Sequence, residues 1–443
     1  MARPRTTHAL DVWMNGTRVA TWSVTAQGVH ELRYAVSWIA STSARPLSLS
    51  LPLRAPDDAH RGALVEAYFE NLLPDSRDIR ERVQRRYHLR STAAFDLLEA
   101  TGRDCVGAVQ LLPEGAEPPD VRTIRGETVS ETQIADILRG MTSTVPSGRT
   151  GADPFRISIA GAQEKTAFLR HRNKWMLPLG ATPTTHIFKL PIGMVGRDGI
   201  DLSRSVEIEW LSLRILRALG LPVTDAEMAD FDEIRVLVVT RFDRRLAADR
   251  KWILRLPQED MCQVFGVPPA RKYEADGGPG MEDIMTLLLG SRLAEEDRKE
   301  FFRAQLAFWM LAAPDGHAKN FSILLEAGGR YRLAPLYDVV SAYPFLGKGK
   351  GAIAPQSLRM AMAVTGKNRH YEWMRISLRH WQESAKRYGL GEQFDDLLHE
   401  LLERVPAALT IVEHSIPKRF PADIAHPILD GVRKAAKQLG GTT

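Results

Sequence analysis

The sequence predicts an α+β protein with two lobes, and three observations lead to that class. The 443 residues are 44% hydrophobic and 26% charged, an ordinary globular composition with room for two or three domains of about 100–200 residues each. Strand-like hydrophobic patterns fill much of the first half of the chain, and helical patterns dominate the second half. Mixed strands followed by helices are typical of α+β architecture.

Composition excludes several classes of protein. Every apolar run is shorter than the ~18–20 residues that span a bilayer, and no signal-peptide pattern follows the charged N-terminus. Two cysteines, Cys105 and Cys262, cannot form a disulfide framework or a four-cysteine zinc site. The net charge of +5 permits contact with nucleic acid without indicating it. We therefore expect a soluble, cytoplasmic protein.

Local chemistry predicts the N-terminal elements. Apolar and polar residues alternate over residues 10–24, around Asn15 and Gly16. Because both residues of an Asn-Gly pair tolerate positive φ, this pattern predicts a β-hairpin with a tight turn. A third strand and then two helices are expected at residues 30–38, 64–73 and 76–87.

The same patterns predict the central and C-terminal elements. Strands are expected at residues 156–159, 166–170, 175–179, 186–190, 234–240 and 331–336. Helices are expected at residues 205–219, 281–289, 295–312 and 394–405, the last ended by Pro406. With the polar residues 142–154 as a linker, we expect domains at residues 1–150, 151–245 and 246–443.

The most informative segment has an Asp and an Asn five positions apart, Asp315 and Asn320. The catalytic loop of protein kinases has this spacing: its Asp accepts the proton of the nucleophilic hydroxyl, and its Asn binds a metal ion that bridges phosphates. Asp338 follows the strand predicted at residues 331–336, and a carboxylate suits Mg²⁺. The alternative is a chance match in a common Asp-Gly turn. His317 beside Asp315 is more typical of a structural turn than of a catalytic triad.

Lys189 stands within an apolar strand pattern, where a charge is costly to bury unless it is paired or reaches a ligand. In kinases such a lysine contacts the ATP phosphates and pairs with a Glu on the next helix, here Glu207 or Glu209. A lysine that reaches solvent from an edge strand is the alternative. The small residues at 158–166 predict either a loop close to phosphates or a plain hairpin, and they match neither the Walker A nor the kinase Gly-rich pattern.

Taken together, these segments resemble the HipA family of bacterial serine/threonine kinase toxins from type II toxin–antitoxin modules. Long strings in one order are more specific than any single motif, and here they extend over most of the chain. The strings are FENLLP at residues 69–74, TGRDCVGA at 101–108, SIAGAQEKTA at 158–167, THIFKLP at 185–191, LPQEDMCQ at 256–263, DGGPG at 276–280, DGHAKN at 315–320 and PLYD at 335–338.

The resemblance implies a two-lobed, protein-kinase-like fold related to lipid kinases, with ATP and Mg²⁺ as cofactors. Residues 1–150 would be an antitoxin-contacting subdomain, residues 151–245 the N-lobe and residues 246–443 an all-helical C-lobe. Asp315 would be the catalytic base, Glu209 the partner of Lys189, and Ser158 an autophosphorylation site. The ATP contacts would be Ala160, Gly161, Ala162, Gln163, Glu164, Lys165, Lys189, Thr240, Arg241, Phe242, His317, Asn320 and Asp338, of which Asn320 and Asp338 would bind metal.

The resemblance also implies partners. These are a HipB-like helix-turn-helix antitoxin, operator DNA bound by the toxin–antitoxin complex, and glutamyl-tRNA synthetase as a substrate whose phosphorylation arrests growth. Lys386 and Arg387, in a basic segment, would contact DNA phosphates, although Gly389 stands where a second basic residue is expected and a solvated basic face is the alternative. Two other functions stay open: a small-molecule kinase, and an antitoxin-dependent co-repressor with little kinase activity.

Overall fold

The computed structural model describes residues 8–142, 159–161, 163–196 and 199–441. These residues form two compact units. Unit 1 contains the described residues up to Leu190, together with Ala229–Ala270 and Ile323–Tyr331. Unit 2 contains the described residues within Pro191–Met228, Arg271–Ser322 and Arg332–Thr443. The predicted linker and the strand predicted at residues 156–159 lie almost wholly outside the described residues, and the predicted domain boundaries stay a prediction.

Unit 1 begins with the predicted hairpin. Its strands β1 (His8–Met14) and β2 (Thr17–Val24) are antiparallel, and Asn15 and Gly16 join them with φ of 48° and 82°. Positive φ at both positions is what a two-residue type I′ turn requires, so the hairpin prediction is confirmed. The next elements are β3 (His30–Tyr34), α1 (Val36–Ile39), β4 (His60–Arg61), α2 (Ala63–Glu70), α3 (Arg77–Tyr87), α4 (Ala94–Thr101) and β5 (Val109–Pro113).

These strands form a sheet of order β4-β3-β2-β1-β5, against which α2 and α4 pack. Trp22 of β2 stacks on Phe69 of α2 with ring centroids 3.7 Å apart, and it also contacts Phe95 of α4. The aromatic contacts join sheet and helices in one hydrophobic core. The strand predicted to reach residue 38 ends earlier because the chain turns into α1, where Trp38 is buried and donates Nε1 to the carbonyl of Arg45 at 2.9 Å.

Most of the later predicted elements are present, with ends within three residues of the prediction apart from the last helix. The elements of this part of the chain, including many that were not predicted, are in chain order β6 (Gly126–Thr128), α5 (Glu131–Thr142), β7 (Lys165–His171), β8 (Lys174–Pro178), β9 (His186–Lys189), β10 (Gly193–Val195), β11 (Ile200–Leu202), α6 (Ser205–Ala218), β12 (Ala226–Phe231), β13 (Ile234–Thr240), β14 (Arg244–Leu246), β15 (Ile253–Arg255), β16 (Gln258–Asp260), α7 (Met261–Val264), α8 (Met281–Leu287), α9 (Ala294–Met310), β17 (Ser322–Leu325), β18 (Tyr331–Leu333), β19 (Arg359–Thr365), β20 (Arg369–Glu372), α10 (Leu378–Arg387), α11 (Phe394–Ser415) and α12 (Ala422–Leu439). Across the described ranges, no helix combines the length and the hydropathy needed to cross a membrane.

Unit 1 contains a second sheet, of strand order β12-β13-β9-β7-β8-β6. Phe168 of β7 and Phe188 of β9 are fully buried in its core, together with Ile134 and Leu138 of α5. The apolar run that forms β13 is buried from Val236 to Val239, as a run without alternation predicts. This sheet places β9 in its interior, between β13 and β7.

Unit 2 is rich in helices and has a buried helix, α9, whose side chains from Phe301 to Met310 are all buried. Helix α11 packs against α6, α9 and α12, while α10 packs against β19. The prediction of an all-helical lobe over residues 246–443 is wrong, because β19 pairs with β20 and a three-stranded sheet of order β16-β17-β18 also lies within these residues.

Helix α11 continues through Pro406 to Ser415, so the predicted end at residue 405 is wrong. Pro406 is exposed, whereas Ala408, Leu409 and Val412 continue the buried face of the helix. A proline removes one helical hydrogen bond, but on the exposed face water can satisfy the freed carbonyl. Burial of the apolar face after Pro406 therefore outweighs the loss of one helical hydrogen bond.

Candidate active site

The end of α9 supports the loop that contains Asp315. The N–H of Ala313 returns to the carbonyl of Phe308 at 2.9 Å, a closure that requires a left-handed residue at the end of the helix. Ala312 takes this position with φ of 46°. Strand β19 then donates a backbone hydrogen bond to the carbonyl of Pro314 at 2.9 Å. Asp315 therefore follows directly after a fixed turn.

Hydrogen bonds bring three of the predicted residues together within unit 2. Nδ2 of Asn320 donates to the backbone carbonyl of Asp315 at 2.7 Å and to that of Asp338 at 3.3 Å. The N–H of His317 also donates to the carbonyl of Asp315, at 2.8 Å. Asp315, Asn320 and Asp338 thus belong to one hydrogen-bonded arrangement, as their spacing predicts for a catalytic loop.

The carboxylate of Asp315 is accessible, with 55% of its side chain exposed. Tyr273 donates its hydroxyl to Oδ1 of Asp315 at 2.5 Å. Oδ2 lies 3.9 Å from Nε2 of His317, whose side chain is only 5% exposed. The rings of Tyr273 and His317 pack edge-on, with centroids 5.0 Å apart and planes at 86°. The sequence did not single out Tyr273, although it stands three residues before the DGGPG string.

Asp338 has a left-handed backbone, with φ of 61°. Just before it, Leu336 forms a parallel bridge with Val223, and Tyr337 donates its hydroxyl to the carbonyl of Lys319 at 2.8 Å. The preceding residues are therefore fixed, and the chain must take the uncommon φ at Asp338. Conformations of this kind in residues other than glycine cluster at functional sites.

Asn320 and Asp338 fit the predicted metal by their chemistry. Both supply oxygen donors, which Mg²⁺ prefers, and Mg²⁺ in kinase sites uses few protein ligands together with phosphate oxygens. The hydrogen bonds from Nδ2 orient the Asn320 amide, and Oδ1 is the end that these bonds do not use. Among the described residues, no group of three His, Cys, Asp or Glu side chains could hold a metal ion by itself. The donor set therefore suits a metal that arrives with phosphates.

Lys189 lies at the end of β9 in unit 1 and is 6% exposed. Since β9 lies in the interior of its sheet, the alternative of a lysine on an edge strand is wrong. In the β7–β9 pair, Lys189 is directly opposite Lys165. Side chains at directly opposite positions point to the same face of a sheet, so both lysines can reach one ligand. The register therefore suits the predicted phosphate contacts of both lysines.

The predicted phosphate loop is attached to the end of β9. Nε2 of Gln163 donates to the carbonyl of Leu190, and the N–H of Leu190 donates to the carbonyl of Glu164 at 3.1 Å. Ala160 is half-buried in the same loop. Two other predicted residues, Ala162 and Ser158, lie outside the described residues.

The same loop is attached to the N-terminal part of unit 1. The N–H of Asp75 donates to the carbonyl of Gly161 at 3.0 Å, beside a parallel bridge between Pro74 and Gly161. Arg82 of α3 forms an ion pair with Glu164. These contacts were not predicted, although Pro74 ends the FENLLP string.

Three residues predicted to contact ATP, at the end of β13 and directly after it, differ in environment. Thr240 and Phe242 are half-buried. Arg241 is 3% exposed, and its guanidinium donates to Asp104, Thr184 and Asp243 at 2.8–3.3 Å. The guanidinium of Arg241 therefore has a structural role within unit 1, and a contact of this residue with ATP stays a prediction.

Arg241 belongs to a buried ionic cluster that the sequence did not predict. Burial by itself would raise the pKa of Asp104, but the attraction of Arg244, Arg241 and Arg255 outweighs it and holds this pKa well below its usual value. Burial lowers the pKa of Arg255 to about 10, against the opposing attraction of Asp104. Asp104 bonds to Arg244 across 140 positions of sequence, and its only signal was its place in the TGRDCVGA string.

Comparison with known families decides the relationship of this chain. The model of the HipA-like C-terminal domain matches residues 157–409, and that of the HipA N-terminal domain matches residues 10–112. The chain belongs to the HipA family. The resemblance inferred from the sequence strings is thereby confirmed.

Several proteins are similar to this HipA-family chain. Y4mE of Sinorhizobium fredii, whose name assigns it provisionally as a kinase, is 32% identical over 394 residues, which is 87% of each chain. The serine/threonine-protein kinase toxin HipA of Shewanella oneidensis is 26% identical over 323 residues, 70% of this chain and 69% of that protein. A chain in the solved complex of HipA, HipB and operator DNA from Shewanella oneidensis MR-1 has a TM-score of 0.78 at 20% identity, covering 98% of this chain and 97% of that one. The predicted two-lobed, kinase-like fold is confirmed by this match.

The two glutamates considered as partners of Lys189, of which the HipA resemblance implies Glu209, lie on α6 in unit 2. Glu209 is 2% exposed and the alternative, Glu207, is 5% exposed. Charged residues are rarely buried to this degree without a charged or polar partner. The pairing of Glu209 with Lys189 stays a prediction.

The residues predicted for DNA contact in a HipA-type complex, Lys386 and Arg387, are exposed in the last turn of α10. Arg387 donates Nη2 to both carboxylate oxygens of Glu282, at 2.9 and 3.1 Å. A carboxylate that neutralises a guanidinium weakens the attraction of that guanidinium for a phosphate. Lys386 is therefore the better placed of the two for contact with DNA.

Proposed function

We propose that this HipA-family chain is a serine/threonine protein kinase that uses ATP and Mg²⁺ and acts as the toxin of a toxin–antitoxin pair. The observation that carries the proposal is the hydrogen-bonded arrangement of Asp315, Asn320 and Asp338 beside an accessible carboxylate. The name of the Shewanella oneidensis relative, a serine/threonine-protein kinase toxin, supports the same activity.

The residues of unit 2 divide the chemical work. Asp315 accepts the proton of the acceptor hydroxyl. The oxygen of that hydroxyl takes the terminal phosphoryl group of ATP, and ADP leaves. Asn320 and Asp338 would hold Mg²⁺, which neutralises negative charge on the phosphates when it is bound. His317, which lies beside Asp315, contacts the nucleotide. In phosphoryl transfer of this kind, positioning and charge neutralisation provide most of the rate enhancement.

The residues of unit 1 bind the nucleotide. Lys165 on β7 and Lys189 on the neighbouring strand β9 contact phosphate oxygens of ATP. The loop of residues 160–165 covers the phosphates with its backbone amides. Thr240 and Phe242 flank the adenine. Glu209 of unit 2 pairs with Lys189 in this account.

The proposal also includes a substrate and a mode of regulation, which the resemblance to the HipA family supports. The acceptor protein is glutamyl-tRNA synthetase or a related translation protein, and its phosphorylation arrests growth. Autophosphorylation at Ser158 adds nearly two negative charges close to the ATP phosphates, which attenuates the kinase. With a HipB-like antitoxin the chain represses its own operon, as the solved complex of its Shewanella oneidensis relative with HipB and operator DNA suggests.

The choice of acceptor tests the proposal against the small-molecule kinase and the inactive co-repressor. Purified chain with Mg²⁺ and γ-labelled ATP is given glutamyl-tRNA synthetase, kanamycin or phosphatidylinositol as acceptor. We expect label in the synthetase, on serine or threonine. Label only in a small molecule supports the small-molecule kinase, and label nowhere, including the chain itself, supports the co-repressor.

A further inference from the structure

Tyr273 makes a direct side-chain contact with the carboxylate of Asp315. Its hydroxyl donates to Oδ1 at 2.5 Å, at the short end of the range for an O–H···O bond. Oδ2 makes no such close contact with His317, whose Nε2 lies 3.9 Å away. One carboxylate oxygen thus accepts a hydrogen bond from the protein, while the Asp315 side chain as a whole is 55% exposed.

The backbone around Tyr273 is fixed. Its carbonyl accepts the N–H groups of Asp276 at 3.0 Å and Gly278 at 2.9 Å. A Cβ at Gly278 would lie 2.1 Å from the carbonyl oxygen of Arg271, so this tight turn requires glycine. The turn formed by these bonds holds Tyr273 in place independently of its side chain.

The same segment is bound to the catalytic loop at a second point. The carbonyl of Lys272 accepts the N–H of Ala318 at 3.2 Å. The ring of Tyr273 also packs against the buried ring of His317, which limits its rotation. Backbone, ring and hydroxyl of this segment therefore all contact the loop of Asp315.

We propose that Tyr273 is a positioning residue for Asp315, an inference that rests on the proposed kinase function. By holding Oδ1, Tyr273 stops the exposed carboxylate from rotating and directs Oδ2 to the hydroxyl of the acceptor. A general base works only within hydrogen-bond reach of the proton it takes, and fixing it in advance removes an entropic cost from the transfer step.

A mobile tyrosine that merely blocks the site fits these contacts less well. Such a residue needs a segment able to move away, whereas the backbone here is fixed by the turn from Tyr273 to Gly278 and by the bond between Lys272 and Ala318. Removal of the hydroxyl should therefore slow transfer rather than release it.

The rate of autophosphorylation of the full chain tests whether Tyr273 positions Asp315. Intact-mass spectrometry follows phosphate incorporation over time at several ATP concentrations with Mg²⁺, for the wild type and Tyr273→Phe. Phenylalanine keeps the ring against His317 and removes only the hydroxyl. We expect the maximal rate to fall about tenfold while the half-saturating ATP concentration stays within about twofold, since general-base positioning acts on the transfer step.

Tyr343→Phe is the matched control. Tyr343 also lies in unit 2, and its hydroxyl donates to the carbonyl of Met310 at 3.0 Å rather than to Asp315. We expect this variant to have a lower midpoint of thermal unfolding and an unchanged maximal rate. If the maximal rate of Tyr273→Phe falls only as much as its fraction of folded, ATP-binding protein falls, that result would contradict the positioning role.

Three further results would overturn the inference. An unchanged or faster maximal rate in Tyr273→Phe removes the role while the kinase function stands. Phosphate mapped to Tyr273 in the wild type makes this residue an acceptor instead. A wild type that starts unphosphorylated and transfers phosphate to neither itself nor glutamyl-tRNA synthetase overturns the proposed function, and the role of Tyr273 with it.

Discussion

Two fully buried carboxylates of unit 1 show how neighbours decide the charge of a residue. Asp104 is surrounded by three arginines, whose attraction outweighs burial and keeps its pKa low. Glu259 has no such surroundings, and burial raises its pKa to about 8 against the lowering effect of hydrogen bonds from Ser48 and Leu49. Asp104 is therefore charged at neutral pH, whereas Glu259 is largely neutral. In the sequence both are ordinary acidic residues.

Glu259 predicts a pH dependence of stability. Below its ordinary pKa of 4.5 the carboxyl is protonated in the folded and unfolded states alike. As the pH rises from there to about 8, the unfolded chain releases the proton while the folded chain retains it, so stability falls. The loss amounts to a few kcal/mol, since one pKa unit corresponds to about 1.4 kcal/mol.

Glu259→Gln should remove this loss, because the amide is neutral in both states and still accepts from Leu49. Urea unfolding of both proteins at pH 5, 6.5 and 8 measures the effect. The stability of the variant relative to the wild type should increase steadily over this range. Parallel pH curves for the two proteins would show that Glu259 is not protonated in the folded state.

At the scale of elements, helix α3 contacts the predicted phosphate loop through the ion pair between Arg82 and Glu164. Arg82 and Glu164 are about one quarter exposed, and an ion pair in such a setting contributes about 0.2–1 kcal/mol. Arg82→Glu or Glu164→Arg alone should weaken binding of a non-hydrolysable ATP analogue by up to about fivefold. Each should also speed hydrogen exchange at the N–H of Asp75, which donates to Gly161.

The charge-swapped double variant should restore both properties, because the ion pair is formed again with reversed sign. Arg85→Glu is the control, since Arg85 lies on the same helix but is exposed, and among the contacts described its side chain bonds only to the carbonyl of Glu81. Analogue binding that changes equally in all variants would indicate a general effect of charge on α3 rather than a contact with the loop.

Elements fixed by local chemistry were predictable from the sequence. The Asn15-Gly16 hairpin, β13 and α6 depend on turn residues and hydrophobic period, and each lies where expected. The end of α11 was not predictable, since tolerance of Pro406 depends on which face of the helix is exposed. The spacing of Asp315 and Asn320 revealed the catalytic loop, but Tyr273 and Arg82 reach their partners through folding, across 42 and 82 positions.

At the scale of the whole molecule, the account includes binding of operator DNA together with an antitoxin. Lys386 and Arg387 are adjacent on α10, yet only Arg387 is held by Glu282. Lys386→Ala should weaken operator binding by the toxin–antitoxin complex and reduce the slope of log affinity against log salt by about one. Arg387→Ala should change both quantities less.

Titration of labelled operator DNA at several salt concentrations measures these effects in the assembled complex. Complex assembly is checked for each variant beforehand, so that loss of antitoxin is not mistaken for loss of DNA contact. Wild-type affinity and slope in Lys386→Ala would favour the solvated basic face over a DNA contact.

The central claim is that Asp315 is the base of a protein kinase, and one measurement tests it most directly. The intact mass of the purified chain is recorded before and after incubation with ATP and Mg²⁺, for the wild type, Asp315→Asn and the exposed-site control Asp423→Asn. We predict a gain of phosphate in the wild type and the control, mapped to Ser158, and none in Asp315→Asn. A gain in Asp315→Asn at the wild-type rate would contradict the account.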